Sequence, residues 1–524
     1  MCCQCGTAAL FGTAALTNAV KTQTLATTCA PQPPTLLRVV ALLGTACIMT
    51  PASADELASE SVQGIALRLS AALVDGSPLL ELRPRYNVIT ETTKALSTDA
   101  MTLRTLVGWR SAPARDLRLT VQAILTGIVG PHRLNDDPRR SASSPYPLLP
   151  DPARQGVNEF HVEYRGFDTA KLRLGRQILK LDDERFISDV DFRQTPQLFD
   201  GLTISSQGLP GAGVIVGHYR RIRNVLGATS AVRLTVAHGA WNPAPGQSLV
   251  AYGYWHDSAT TGAQTGFANN AQRIVGLRAE GDAPLLDGVR TNYLGEIAWQ
   301  HAIGDGDARI AGRYFRVGAG IGSDTWTVRA DHEEKGSRRG DYGFQTPLSD
   351  YYAFNGWALQ FTTTPRAGLR DSWLTLRGAL GPVEARTEHH RFRSVWGALD
   401  FGTEWDASLA YQLRPDTQAR LQLARFRAGR DTPQHNTVNK TWLTVTYRYC
   451  ERVQLQAVYP IPAGLGIRFC LKSTLFYIGL DASLKCDFGE KLYAQTHYFG
   501  AIRRARHISA FGNRSYPRTH HIGA

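Results

Sequence analysis

The chain has 524 residues, 43% of them hydrophobic, a formal net charge of +13 and a slightly negative mean hydropathy. No run of about 18 apolar residues occurs, which excludes a helical membrane protein but not a barrel, whose strands alternate apolar and polar residues. Residues 1–54 carry +2 and residues 450–524 carry +6, so the middle is only mildly basic, without the basic stripe and interleaved aromatics of a nucleic-acid binder.

Leu36 to Met49 is an apolar stretch with Arg38 near its start, followed by Pro51-Ala52-Ser53-Ala54. This reads as a signal-peptide core and an Ala-X-Ala cleavage site after Ala54, so residues 1–54 are predicted to be an N-terminal extension and export signal. A lipoprotein signal at Cys47 is the rival, but Gly44 stands three residues before it where Leu is expected. All eight cysteines, Cys2, Cys3, Cys5, Cys29, Cys47, Cys450, Cys470 and Cys486, lie outside Asp55–Tyr449. A long body without a thiol suits an oxidising compartment.

From Ser77 onward the dominant period is two. In Leu80 to Val88 the even positions can face lipid while Glu81, Arg83, Arg85 and Asn87 face the other way. Met101, Leu103, Val107 and Trp109 then alternate with Thr102, Arg104 and Arg110, and Leu117, Leu119, Val121, Ala123 and Leu125 with Arg118, Thr120, Gln122 and Thr126. Phe160, Val162 and Tyr164 oppose Glu159, His161, Glu163 and Arg165, and Trp405, Ala407, Leu409 and Tyr411 oppose Glu404, Asp406, Ser408 and Gln412. The polar segments Gly130–Gly156, Asp257–Ala271 and Asp331–Asp350 read as extracellular loops or lumen plugs, and Gly304-Asp305-Gly306-Asp307 as a tight periplasmic turn. At about 20 residues per strand and connection, the alternating stretch from Leu80 to Tyr449 holds on the order of 18 strands, which makes residues 55–449 an all-β transmembrane antiparallel barrel. A soluble sandwich also alternates. Charge density on the polar face, aromatic residues near strand ends and the export signal favour the membrane barrel.

The stretch Thr441 to Tyr449 alternates and stops on an aromatic, and it resembles the terminal strand that the barrel-assembly machinery reads in outer-membrane proteins. Residues 450–524 follow as an atypical tail with a basic cluster at Arg503, Arg504 and Arg506.

Leu172-Arg173-Leu174-Gly175-Arg176-Gln177-Ile178-Leu179 through Asp182-Asp183-Glu184-Arg185-Phe186, with Phe192-Arg193-Gln194 and Phe199-Asp200, resembles the alginate export family of outer-membrane barrels. Phe354-Asn355-Gly356-Trp357 with Thr362 to Asp371, and Gly402 to Asp406, resemble two further motifs of that family, in its order. The resemblance implies a monomeric barrel of about 18 strands in outer-membrane lipid. Its lumen would be charged and constricted by loops, and would pass a polyuronate such as alginate.

Arginines projecting into such a lumen can replace the water lost by an anionic polysaccharide, while interspersed carboxylates keep its binding shallow. Parity puts Arg83, Arg85, Arg104, Arg118, Arg165 and Arg173 on one polar face with Glu81, Glu163, Glu404 and Asp406. Arg176, Arg185, Arg193, Asp182, Asp183 and Asp200 sit at strand ends or in the adjoining loop, and Arg366 in a loop positioned to gate the lumen. For each residue, a salt bridge bracing the wall competes with cargo contact. His161, His218, His238, Ser205 and Ser206 form no nucleophile elbow, and the His389-His390 and His520-His521 pairs are of a kind more often solvated than chelating, so no enzyme, metal or cofactor is expected. The alternatives are a substrate-specific porin importing small solutes, a barrel enzyme, and a soluble carbohydrate-binding sandwich.

Overall fold

A computed structural model describes residues 62–258, 269–432 and 436–449. The export signal, the rival Cys47, the tail after Tyr449 and residues 259–268 of the expected Asp257–Ala271 loop lie outside the described residues. Among the described residues one helix precedes the sheet, α1 (Val62–Val74). Eighteen strands follow in chain order: β1 (Ser77–Glu91), β2 (Thr98–Arg110), β3 (Leu117–Arg133), β4 (Arg154–Tyr164), β5 (Ala170–Gln177), β6 (Leu198–Leu209), β7 (Ala212–Arg223), β8 (Thr229–Trp241), β9 (Gln247–Asp257), β10 (Gln272–Leu286), β11 (Val289–Ala302), β12 (Ala311–Gly322), β13 (Trp326–Lys335), β14 (Leu369–Leu380), β15 (Val383–Arg393), β16 (Asp400–Arg414), β17 (Thr417–Ala428) and β18 (Thr437–Tyr449).

Each strand pairs antiparallel with its sequence neighbour, and β1 also pairs with β18, from Leu80 opposite Tyr449 to Glu91 opposite Val438. The expected barrel of about 18 strands is therefore closed. Closure satisfies the backbone groups of every strand within the sheet, which hydrocarbon surroundings demand.

Alternation decides which side chains go where. In β1, Leu82 and Tyr86 are exposed on the outer surface while Glu81, Arg83, Arg85 and Asn87 are buried on the inner one. Leu125, Phe160, Leu174, Leu277, Trp405, Leu409 and Leu443 are likewise exposed outward. The barrel thus carries its apolar face outside, and its core lies within the bore.

Two connections fill that bore. Inner loop A is the segment 178–197 between β5 and β6, and inner loop B is the segment 336–368 between β13 and β14. Phe186 of loop A packs among Tyr252, Tyr254, Tyr314 and Phe344, 5.2 Å between centroids to Tyr252 and to Tyr314. Phe361 and Trp357 of loop B pack against Phe392, Phe401, Phe426 and Trp442 of the wall.

Three sequence expectations change. Gly304 to Asp307 belongs to the connection 303–310 between β11 and β12, and strand alternation puts it at the end of the long connections, not among the short periplasmic turns. Gly/Asp composition reports a bend; only the strand count reports which end it is. Of Asp331–Asp350, the first five residues are strand, since β13 runs to Lys335 and turns Asp331 and Glu333 into the lumen. The loop itself reaches 368. Finally, α1 falls within the segment assigned to the barrel but before the alternation begins at Ser77, and there Leu73 O accepts from Trp109 Nε1 at 2.8 Å and Ala72 O from Ala112 N at 2.8 Å. By its contacts the chain divides into Met1–Ala66 and Leu67–Ala524, and all the described strands lie in the second unit.

Candidate functional site

The lumen is the candidate site, and the inner loops set its width. Arg83 and Arg85 on β1 and Arg104 on β2 are buried arginines on the inner face. Arg83 donates to Asp191 O at 2.7 Å, to Gln194 Oε1 at 3.1 Å and to Arg193 O. Arg85 donates to Phe192 O at 2.7 Å and lies 4.5 Å from the Phe192 ring centroid. Arg104 pairs with Glu81 and reaches Asp191 Oδ1 at 2.9 Å, and Arg448 holds the other Glu81 oxygen at 2.8 Å. Loop carbonyls without strand partners need donors, and a guanidinium offers five in a fixed plane.

The opposite wall grips the front of loop A. Asp183 receives Arg278 at 2.9 Å and Arg316 at 2.6 Å, Arg185 binds Glu333 at 2.6 Å, and His238 Nε2 lies 2.8 Å from Asp182. Burial alone would raise the Asp183 carboxyl, but the two guanidinium groups outweigh it and hold it well below the usual carboxylate range. Arg185 also donates to Asn355 Oδ1 and Ser349 Oγ of loop B, so it ties both loops to β13.

Where the loops meet, acidic groups gather. Asp350 N donates to Glu184 O at 3.0 Å, and Lys180 binds Glu184 and, at 3.1 Å, Asp189. Burial and the neighbouring Glu184 push Asp350 up to about 7. Loop B is fixed further on by the amides of Trp357 and Ala358, which donate to Asp406 at 3.2 Å and Glu404 at 2.5 Å on β16.

The end with the short turns is basic. Arg377 on β14 stands directly opposite Arg386 on β15, with Arg420 near the start of β17. Arg386 is bonded to Glu388 at 2.7 Å, and Arg420 to Gln418 at 3.2 Å. Among the described residues Arg377 makes no hydrogen bond or ion pair, and Glu384 and Glu388 act on it only from a distance. On β4, Glu163 gathers Arg173 at 2.9 Å and Arg165 at 2.5 Å, with Arg118 opposite it in the β3–β4 register.

Of the residues singled out from sequence, Arg83, Arg85, Arg104, Glu81, Arg185, Arg193, Asp182 and Asp183 meet at loop A, whereas Arg118, Arg165, Arg173 and Glu163 form a separate group near the short turns. Glu404 and Asp406 lie under loop B, and Arg366 is exposed near its end. Arg176 and Asp200 are a correction. They pair with each other at 2.7 Å opposite the exposed Phe160, on the outer face, because Arg176 is three residues from the inward Arg173 and strand faces alternate. His390 is a second correction: it is 3% exposed rather than solvated, while His389 stacks outside on Trp405 at 4.3 Å.

Sequence reasoning missed Asp191, Arg278, Arg316 and Glu333, missed Glu296, which Arg278 also reaches at 3.5 Å, and took Gln194 only as part of a family motif. The strand members were within reach, because β10 to β13 carry the same alternation as β1 to β4; the loop members obey no period.

The profile of the alginate export family matches residues 90–331. No curated protein matches the chain. Among solved structures, the barrel is similar to three proteins of Pseudomonas aeruginosa. OpdQ has a TM-score of 0.54 at 14% identity, covering 72% of this chain and 99% of its own. OccK9 (OpdG) has 0.54 at 16%, with 72% and 100% covered. OpdK, solved with vanillate, has 0.53 at 15%, with 71% and 98% covered. At these identities the likeness is one of fold. The family match over residues 90–331 and the closed eighteen-stranded sheet together support an outer-membrane channel barrel similar to those of the alginate export family.

Proposed function

We propose that the protein passes a hydrophilic, anionic polysaccharide of the alginate kind through an arginine-rich lumen. The observation that carries this reading is the Arg377–Arg386 pair. Like charges directly opposite on a ladder repel, and of the two only Arg386 has a carboxylate bonded to it. A polyanion threading past the short-turn end would supply the missing charge with bidentate guanidinium contacts. Arginines deeper in the bore hold loop A, so the loop constrains the path while the mouth attracts the polymer.

The test is conductance of the purified chain in planar bilayers. Anion preference and concentration-dependent block by oligouronates are expected. Replacing Arg377 and Arg420 with Glu should lower the anion-to-cation permeability ratio on the order of tenfold. A cation-preferring pore indifferent to uronates would remove the reading.

A second reading, a substrate-specific porin importing small solutes, is supported by the filling of the bore by two loops and by the fold shared with OpdK, whose structure holds vanillate, a small carboxylate. Chain length separates the two. A polymer path is blocked more strongly as the oligouronate lengthens, and a small-solute path is blocked by the monomer.

A further inference from the structure

On the inner face of β15 and β16, His390 stands directly opposite Glu404 and Glu388 directly opposite Asp406, a square of four side chains. All four are buried, at 3%, 0%, 2% and 1% exposure in that order. Asp371 of β14, itself fully buried, accepts the Nδ1–H of His390 at 3.0 Å. That bond fixes the tautomer and leaves the Nε2 lone pair free, the arrangement by which carboxylates orient metal-binding imidazoles. Nε2 points toward Asp406, 3.8 Å from Oδ2, and has no hydrogen-bond partner. Asp406 Oδ1 and Glu404 Oε2 are also buried with no donor to satisfy them, and the two carboxylates lie within hydrogen-bond reach of each other. Other oxygens of the square are satisfied: Asp406 Oδ2 by the Trp357 amide, Glu404 Oε1 by the Ala358 amide, and Glu388 Oε1 by Thr375 and Arg386.

Three polar atoms without donors or acceptors of their own lie in a place that holds four carboxylates and one imidazole, against one directly bonded guanidinium, with the ammonium groups of Lys335 and Lys440 acting only from a distance. Buried charge of one sign needs a counter-charge, and buried polar atoms need partners. We propose that Glu388, His390 and Asp406 form a site for one divalent metal ion, Zn2+ or Mn2+, in the lumen wall beneath inner loop B. One atom from each of these three side chains lies within 4.8 Å of the others. Donors on a single ion of this size are roughly 3–4 Å apart, so rotamer adjustments of under about 1 Å complete the site. One imidazole nitrogen with carboxylate oxygens suits Zn2+ or Mn2+ and disfavours Ca2+, which takes oxygen alone. The ion would join β15 and β16 to the carboxylates that receive the loop B amides, fastening the loop to the wall.

The full chain, without a polyhistidine tag, is purified in detergent, stripped with a chelator, and titrated with ZnCl2 or MnCl2. One ion per chain is expected by elemental analysis, with a rise in the temperature at which heat-modifiable gel migration is lost. His390→Gln and Asp406→Asn should bind at least about 100-fold more weakly, and Asp371→Asn about 10- to 100-fold more weakly. No stoichiometric metal, or undiminished affinity in His390→Gln, would overturn the proposal, the first outcome pointing to a proton shared among the carboxylates. Should the variants not fold, X-ray absorption of the loaded wild-type chain decides: a nitrogen and oxygen shell with one imidazole supports the site, and a sulfur shell, from the terminal cysteines, overturns it.

Discussion

A buried guanidinium is most informative when its partners are removed from it one at a time. Arg185 is 1% exposed and answers to Glu333, Asn355 and Ser349 together. Replacing it with Met strands Glu333 in the bore, and a loss of about 3–5 kcal/mol is expected, read as a lower urea midpoint for the folded barrel. Gly356 makes the opposite point. Its φ of +82° suits glycine, and an added Cβ would lie 2.3 Å from Glu404 Oε2. Gly356→Ala should cost about 1–3 kcal/mol and raise amide exchange at Trp357 and Ala358. Parity made the inward placement of Glu81, Arg83, Arg85 and Arg104 readable in advance. It could not show that their partners are loop carbonyls, because a carbonyl carries no residue signature. It would have corrected Arg176 had the alternation been carried three residues past Arg173.

Among the elements, the inner loops do most to define the channel, and they were legible only as recurring motifs. Their backbones break every period. Asp182, Glu184, Val190, Asn355 and Leu359 all have positive φ, sterically costly for residues with a Cβ and sustained by the surrounding contacts. The contact between the loops is expected to depend on pH. Asp350 has its folded pKa raised from 3.8 to about 7, so the folded state retains a proton that the unfolded chain gives up. The resulting stabilisation is complete below pH 3.8 and is lost as pH rises through about 7. Hydrogen exchange at residues 348–352 should therefore accelerate between pH 5 and pH 8 beyond its intrinsic rise, and Asp350→Asn should abolish the excess. Equal excess in both proteins would place the titration elsewhere.

For the molecule as a whole, strand count, closure and the outward apolar face followed from a period of two over Leu80–Tyr449. That period is set by the pleat and by lipid on one side, so it survives in sequence. The end at which a turn lies depends on counting every strand before it, and the Gly304 turn shows that composition alone does not report it. Helix α1 lay just before the alternation begins, where no period-two signal could mark it.

The seam between β1 and β18 joins Leu80 to Tyr449. Those partners are among the most distant in the sequence that the sheet brings together, so the last zipper can engage only once almost the entire ribbon is available. Loop-closure entropy makes such late, non-local pairing slow. A polypeptide halted anywhere before Thr437 would keep two raw borders and no sealed tube. It should never yield the compact, fast-migrating gel band of the finished cylinder, however well its individual hairpins have formed.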